Sequence, residues 1–106
     1  MELAEPAHTY PMKAEHVTWR SLEGESVLLN LDSGVYFTLN ETGTTAWELF
    51  DGATSLAEIG EILCRRFDVG LEQARSDLAE LTDELRREGL VRVHEKPAPS
   101  SRTERS

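Results

Sequence analysis

Few side chains in this 106-residue sequence are spaced for covalent or metal chemistry. His8, His16 and His94 lie far apart. None stands at the H-x₃-H or H-E-x-x-H spacing that turns two imidazoles toward one zinc ion. Cys64 is the only cysteine, which excludes an intramolecular disulfide and any cysteine-based metal cluster. Beside Leu63 in an apolar helical pattern, it reads as a small core hydrophobe rather than a reactive thiol. Gly34 and Gly43 belong to no phosphate-cradling loop, since neither G-x-G-x-x-G nor G-K-[ST] occurs. No catalytic residue, metal ligand or cofactor is therefore expected. The chemistry that stands out belongs to the main chain. Val35 to Asn40, VYFTLN, reads as a strand without charge, proline or interior glycine. Those devices normally blunt a sheet edge, whose unpaired N–H and C=O groups otherwise recruit another chain. Such a strand is either covered by its own protein or receives a foreign peptide.

The elements that must position it follow from periodicity. His16–Ser21 reads as a first strand, with Val17 and Trp19 on one face, and Leu22-Glu23-Gly24-Glu25 turns the chain. Ser26–Leu31 and Val35–Leu39 form a hairpin around Asp32-Ser33-Gly34, a three-residue loop closed by a left-handed glycine. That loop pairs Leu31 with Val35, Leu29 with Phe37 and Val27 with Leu39, an apolar face for the core, and leaves Tyr36 and Thr38 outward. Asn40 is a helix N-cap, followed by a helix over Glu41–Phe50. Ser55 and Glu58 make a capping box for a second helix over Leu56–Phe67, with Leu56, Ile59, Ile62, Leu63 and Phe67 inward. After Asp68-Val69-Gly70, a third helix from Leu71 to Glu88 carries Ala74, Leu78, Leu81 and Leu85 at helical spacing. Gly89 ends it, and Leu90–Val93 has the pattern of a last short strand. The predicted fold is α+β and winged-helix-like: an N-terminal three-stranded antiparallel sheet, then three helices. Residues 1–15, broken by Pro6 and Pro11, are expected to be a flexible arm, residues 16–94 the folded domain, and residues 95–106 a disordered tail.

Composition narrows the partners. No apolar run approaches the roughly 20 residues that span a bilayer, and no secretory signal pattern is present, so a cytoplasmic protein is expected. Twenty acidic residues against 11 basic ones give a net charge of −9. This disfavours nucleic acid and anionic membranes, which are held through Lys and Arg. The third helix would be the recognition helix of a helix-turn-helix, yet from Leu71 to Glu88 it carries six acids and three bases. Its two flanks differ. Asp77, Leu81, Glu84 and Glu88 make an acidic side, whereas Arg75, Leu78, Ala79, Thr82 and Arg86 make a milder one. A peptide added to the bare strand by β-augmentation is expected to rest on the milder flank. Coverage of that strand by the chain's own terminal strand or by a twin subunit is the competing reading.

At these residues the chain resembles the PqqD-like proteins, also called RiPP precursor recognition elements. VLLNLDSGVYFTLNETGTTAWELFDG, from Val27 to Gly52, has their apolar strand, D-x-G-type turn, aromatic strand ending in L-N, and T-G-x-x-x-W-x-L helix. Leu39-Asn40, Thr42-Gly43 and Trp47-Glu48-Leu49 match in place, and the similarity runs on through Phe67–Val69 to Glu88-Gly89-Leu90-Val91. The resemblance implies a winged-helix-like, non-catalytic adaptor. It would bind the leader of a ribosomally made precursor peptide and deliver it to a partner leader peptidase or other modifying enzyme. Carried over by position, the peptide-binding residues are Val35, Tyr36, Phe37, Thr38 and Leu39 on the strand, and Arg75, Leu78, Ala79, Thr82, Leu85 and Arg86 on the helix. As a free-standing protein the chain is most similar to the leader-binding component of lasso-peptide biosynthesis, acting as a monomer or weak dimer. The alternatives are a chaperone for a radical-SAM peptide-modifying enzyme, of the quinone-cofactor type, and a winged-helix regulator that binds protein or DNA. Gly70 departs from the Asp-Pro type of helix start found in many relatives.

Overall fold

The computed structural model describes residues 8–97. Its elements are β1 (Tyr10–Lys13), β2 (Val17–Leu22), β3 (Glu25–Asn30), β4 (Tyr36–Leu39), α1 (Glu41–Glu48), α2 (Leu56–Phe67), α3 (Leu71–Arg87) and β5 (Val91–His94). The fold is α+β, with three helices and two antiparallel sheets, one in the order β2-β3-β4 and the other pairing β1 with β5. The helices begin where their caps dictate. The Asn40 side chain accepts the Gly43 N–H at 2.8 Å. Ser55 and Glu58 form both bonds of the capping box at the start of α2. Gly70 offers α3 no side-chain cap. At the far end of α3, Gly89 turns left-handed (φ 74°), and the Leu90 N–H reaches back to the Leu85 carbonyl at 2.9 Å. The core gathers between the three-stranded sheet and the helices around Trp47, Phe50, Leu28, Ile59, Leu85 and Leu90, all fully buried. Trp47 meets Trp19 edge-on at 5.4 Å and Phe50 at 6.1 Å, the geometry that the ring quadrupoles favour.

The β3–β4 hairpin departs from the expected register by one residue. Ser26 faces Leu39, Val27 faces Thr38, Leu28 faces Phe37 and Leu29 faces Tyr36. Leu28 and not Leu29 is therefore the fully buried leucine, while Val27 and Leu31 are 41% and 60% exposed. The connection has four residues: the Asn30 N–H donates to the Val35 carbonyl at 3.0 Å, and the Gly34 N–H to the Asn30 carbonyl at 2.7 Å. The cause is polar. Buried Asn30 accepts the Asp32 and Ser33 N–H groups on Oδ1, at 2.9 and 3.1 Å, and donates from Nδ2 to the Glu88 carbonyl at 2.8 Å. Ser26, also buried, hydrogen-bonds Thr44 at 2.7 Å. A buried polar group with its partners made is tolerated, and one without them is costly. These two residues claim the inner face and displace the apolar side chains beside them. On β4 the expected faces hold: Leu39 is buried and Phe37 half-buried, while Tyr36 and Thr38 point out.

The second departure is β1, which occupies part of the segment expected to be a loose arm. It pairs with β5 from Tyr10 opposite His94 to Lys13 opposite Val91. Its other bonds also reach across the chain. The Lys13 N–H donates to the Phe50 carbonyl, that of Ala14 to Leu90, that of Gly52 to Pro11 and that of Leu56 to Thr9. Pro11 fits because this edge asks it only for a carbonyl. The Lys13 ammonium lies 5.6 Å and 5.5 Å from the Trp19 and Trp47 ring centroids and donates to the Phe50 carbonyl at 3.2 Å. Burial pulls its pKa below the ordinary lysine value, against the opposing pull of Asp51 and Glu48. Residues 1–7 of the expected arm and 98–106 of the expected tail lie outside the described residues. No helix among the described residues is long and apolar enough to cross a membrane.

Candidate functional site

β4 closes one side of the three-stranded sheet and, among the described residues, pairs only with β3. Main-chain groups alternate in direction along an antiparallel strand. The Val35 carbonyl points to β3, where it accepts the Asn30 N–H. The groups of Phe37 and Leu39 therefore face β3 as well, and those of Tyr36 and Thr38 face outward. The unpaired edge thus presents the N–H and C=O of Tyr36 and Thr38, with no charged side chain anywhere on the strand.

Beside this edge runs a groove of about 620 Å³, bounded by β4, the first turn of α1, the C-terminal half of α2 and one side of α3. Its floor is apolar, with Phe37, Leu39, Leu63, Phe67, Leu78 and Leu81. Gly43 lets the start of α1 press against β4, since a Cβ there would come within 3.3 Å of Leu39 and the Asn40 oxygen. The helical rim carries Asp77, Glu80 and Glu84, and no Lys, Arg or His among the described residues lines the groove. Asp77 accepts a hydrogen bond from Gln73 at 2.9 Å. Asp83, one residue off the rim, is taken up by Arg86 at 2.6 Å and Arg87 at 3.1 Å. Glu80 and Glu84 have no ion pair or side-chain hydrogen bond among the described residues.

Of the residues expected at the site, Phe37, Thr38, Leu39 and Leu78 line the groove. Val35 and Tyr36 are exposed along the strand, at 41% and 67%. On α3, the flank that borders the groove beside β4 is the acidic one. Thr82 and Leu85 are buried, at 5% and 0% exposure, and Ala79 is half-buried. The stem of Arg75 runs over α2, with Cγ 3.4 Å from where a Cβ on Gly60 would sit. Arg86 turns to Asp83. The reason is the rotation of the helix. Its buried stripe is Ala74, Leu78, Thr82 and Leu85, and by taking Thr82 in place of Leu81 it turns Leu81 and its acidic neighbours toward β4. Phe67 and Val69, which no peptide-binding expectation included, close the groove at the α2–α3 turn. The acidic flank was visible in the sequence, but nothing local says which flank faces the strand.

This geometry belongs to a recognisable class. Residues 25–91, more than half of the chain, match the family described as coenzyme PQQ synthesis protein D (PqqD). The chain belongs to that family. It is 34% identical over 55 residues to the PqqA binding proteins of Xanthomonas euvesicatoria pv. vesicatoria (strain 85-10) and Xanthomonas axonopodis pv. citri (strain 306). That match covers 52% of this chain and spans 60% of the length of those relatives. In three dimensions the chain is similar to TbiB1 in complex with the TbiA(beta) leader peptide, with a TM-score of 0.70 and 26% identity over 76% of this chain and 93% of that one. It is also similar to lasso peptide synthetase B1 complexed with its leader peptide, with a TM-score of 0.66 and 26% identity over 77% and 96% of the two chains.

Proposed function

We propose that this protein is a non-catalytic adaptor of lasso-peptide biosynthesis that holds the leader of a ribosomally made precursor. The leader adds to the sheet as a strand along the outer edge of β4. The N–H and C=O groups of Tyr36 and Thr38 supply the pairing, and the groove against α3 reads the side chains. The observation that carries this reading is the charge-free edge of β4 lying open beside an apolar groove, in a chain whose structural relatives are leader-peptide complexes. The lasso type is favoured because the solved structures that the chain matches, over 93% and 96% of their lengths, include lasso peptide synthetase B1 complexed with the leader peptide. Leader capture raises the effective concentration of the precursor at its peptidase or modifying enzyme. The adaptor acts in the cytoplasm as a monomer or weak dimer, in a winged-helix-like arrangement. The test is fluorescence anisotropy with the labelled leader of a candidate lasso-peptide precursor. Saturable binding by the leader, and none by the core segment of the same precursor, is the expected result. A folded protein that ignores the leader would falsify the adaptor reading.

A further inference from the structure

The acidic rim of the groove has a consequence for its occupant. A strand paired with β4 points alternate side chains into the groove, in the row of Phe37 and Leu39, and the others to the outer sheet face with Tyr36 and Thr38. The inward row lies over apolar floor near β4 and reaches carboxylates where it meets α3. Asp77, Glu80 and Glu84 fall within one stripe of the helix, which runs about 10 Å at 1.5 Å per residue. That length matches about three residues of an extended peptide. Among the described residues no cation pairs with these groups: Arg86 and Arg87 of the same helix are bound to Asp83, and the stem of Arg75 lies over α2. An acidic side chain entering here would be repelled. A Lys or Arg could lay its aliphatic stem on Leu81 and carry its charge to the rim.

We propose that the groove is specific for a cationic leader: the strand-forming segment carries apolar residues in its inward row, with Lys or Arg placed to meet Asp77, Glu80 and Glu84. The proposal rests on the adaptor reading above, in which the open edge and the groove make the site and the carboxylates set its charge preference. The overall charge of −9 adds long-range attraction for such a peptide and should speed encounter.

The experiment compares the labelled leader of the candidate precursor, bearing Lys or Arg in its strand-forming segment, with a twin in which each of those residues is replaced by Glu. Each is titrated against the wild-type protein, the triple variant Asp77→Asn/Glu80→Gln/Glu84→Gln, and Glu61→Gln, an α2 control outside the groove. Exposed charge pairs are worth roughly two- to fivefold each. The triple variant should therefore weaken the natural leader by about tenfold or more, and Glu61→Gln should leave it unchanged. Raising NaCl from about 50 to about 500 mM should weaken the wild-type complex severalfold and the triple variant much less. The Glu-substituted twin should bind the wild type poorly and recover part of its affinity with the triple variant. Circular dichroism keeps loss of fold apart from loss of charge, since all three rim side chains are exposed or half-buried. Leader binding that is equally tight in the triple variant and insensitive to salt overturns the charge preference and leaves the adaptor reading standing. No binding of either peptide to the folded wild type overturns both.

Discussion

The three-stranded sheet has two outer edges, β2 and β4, and they differ in what stands beside them. β2 carries Arg20, ends on the exposed Leu22, and reaches the core through Val17 and the edge-on contact of Trp19 with Trp47. β4 carries no charge and has the apolar, acid-rimmed groove along its open side. Both edges expose alternate N–H and C=O groups, so hydrogen-bonding capacity alone does not distinguish them. A binding edge differs from a merely exposed one in having a surface next to it that can read the side chains of the added strand. Backbone pairing accepts any sequence without proline, and selectivity has to come from that neighbouring surface.

The largest test of this comparison addresses the register that aims β4. With Asn30 and Leu28 inward, Leu28→Ala should destabilise the fold by about 2–5 kcal/mol, and Leu31→Ala by less than about 0.5 kcal/mol, in chemical denaturation. The opposite ranking would restore the register expected from apolar alternation and turn the inner face of the hairpin over. Next comes proline at an outward position of each edge. Thr38→Pro removes an outward N–H while sparing every bond to β3, and should cost about a hundredfold in leader affinity. The matching Ser21→Pro on β2 should leave leader affinity unchanged, and equal losses at both edges would show that the groove does not choose between them. Smaller again is Asn30→Ala, which strips the loop of its acceptor and should cost about 1–2 kcal/mol in stability, with leader affinity following only through the position of β4.

The smallest effect lies away from both edges. Asp51 is exposed, and the limited desolvation of its carboxyl, which raises its pKa, is outweighed by N–H donation from Ala53 and Thr54 and by the Thr54 hydroxyl, which hold the pKa below the usual carboxylate value. A carboxyl lowered on folding stabilises the protein above its unfolded pKa, and the contribution is lost as the pH falls through the folded value. Asp51→Asn should therefore flatten the acid limb of the stability–pH curve only slightly, because solvent screens this exposed carboxylate. It should leave leader binding at neutral pH as it was.

Much of this was legible without coordinates, and for local reasons. Asn40, Ser55 with Glu58, and Gly89 act within a turn or two of themselves, so the starts of α1 and α2 and the end of α3 follow from neighbouring residues. The faces of β4, and its lack of any edge-blunting residue, are likewise properties of six consecutive positions. The rest depended on partners remote in the chain. Asn30 is inward because the Glu88 carbonyl accepts its amide from 58 residues away, and alternation of apolar residues cannot register a polar side chain that satisfies itself in the core. The segment before Ala14 is a strand because β5 and the Phe50 and Leu90 carbonyls take its bonds. The sequence by itself determined that VYFTLN is a strand without edge-blunting residues and that α3 has one acidic and one mild flank. Only the tertiary structure decided that the acidic flank faces the edge, because packing α3 with Thr82 inward and Arg75 over Gly60 sets the rotation of the helix.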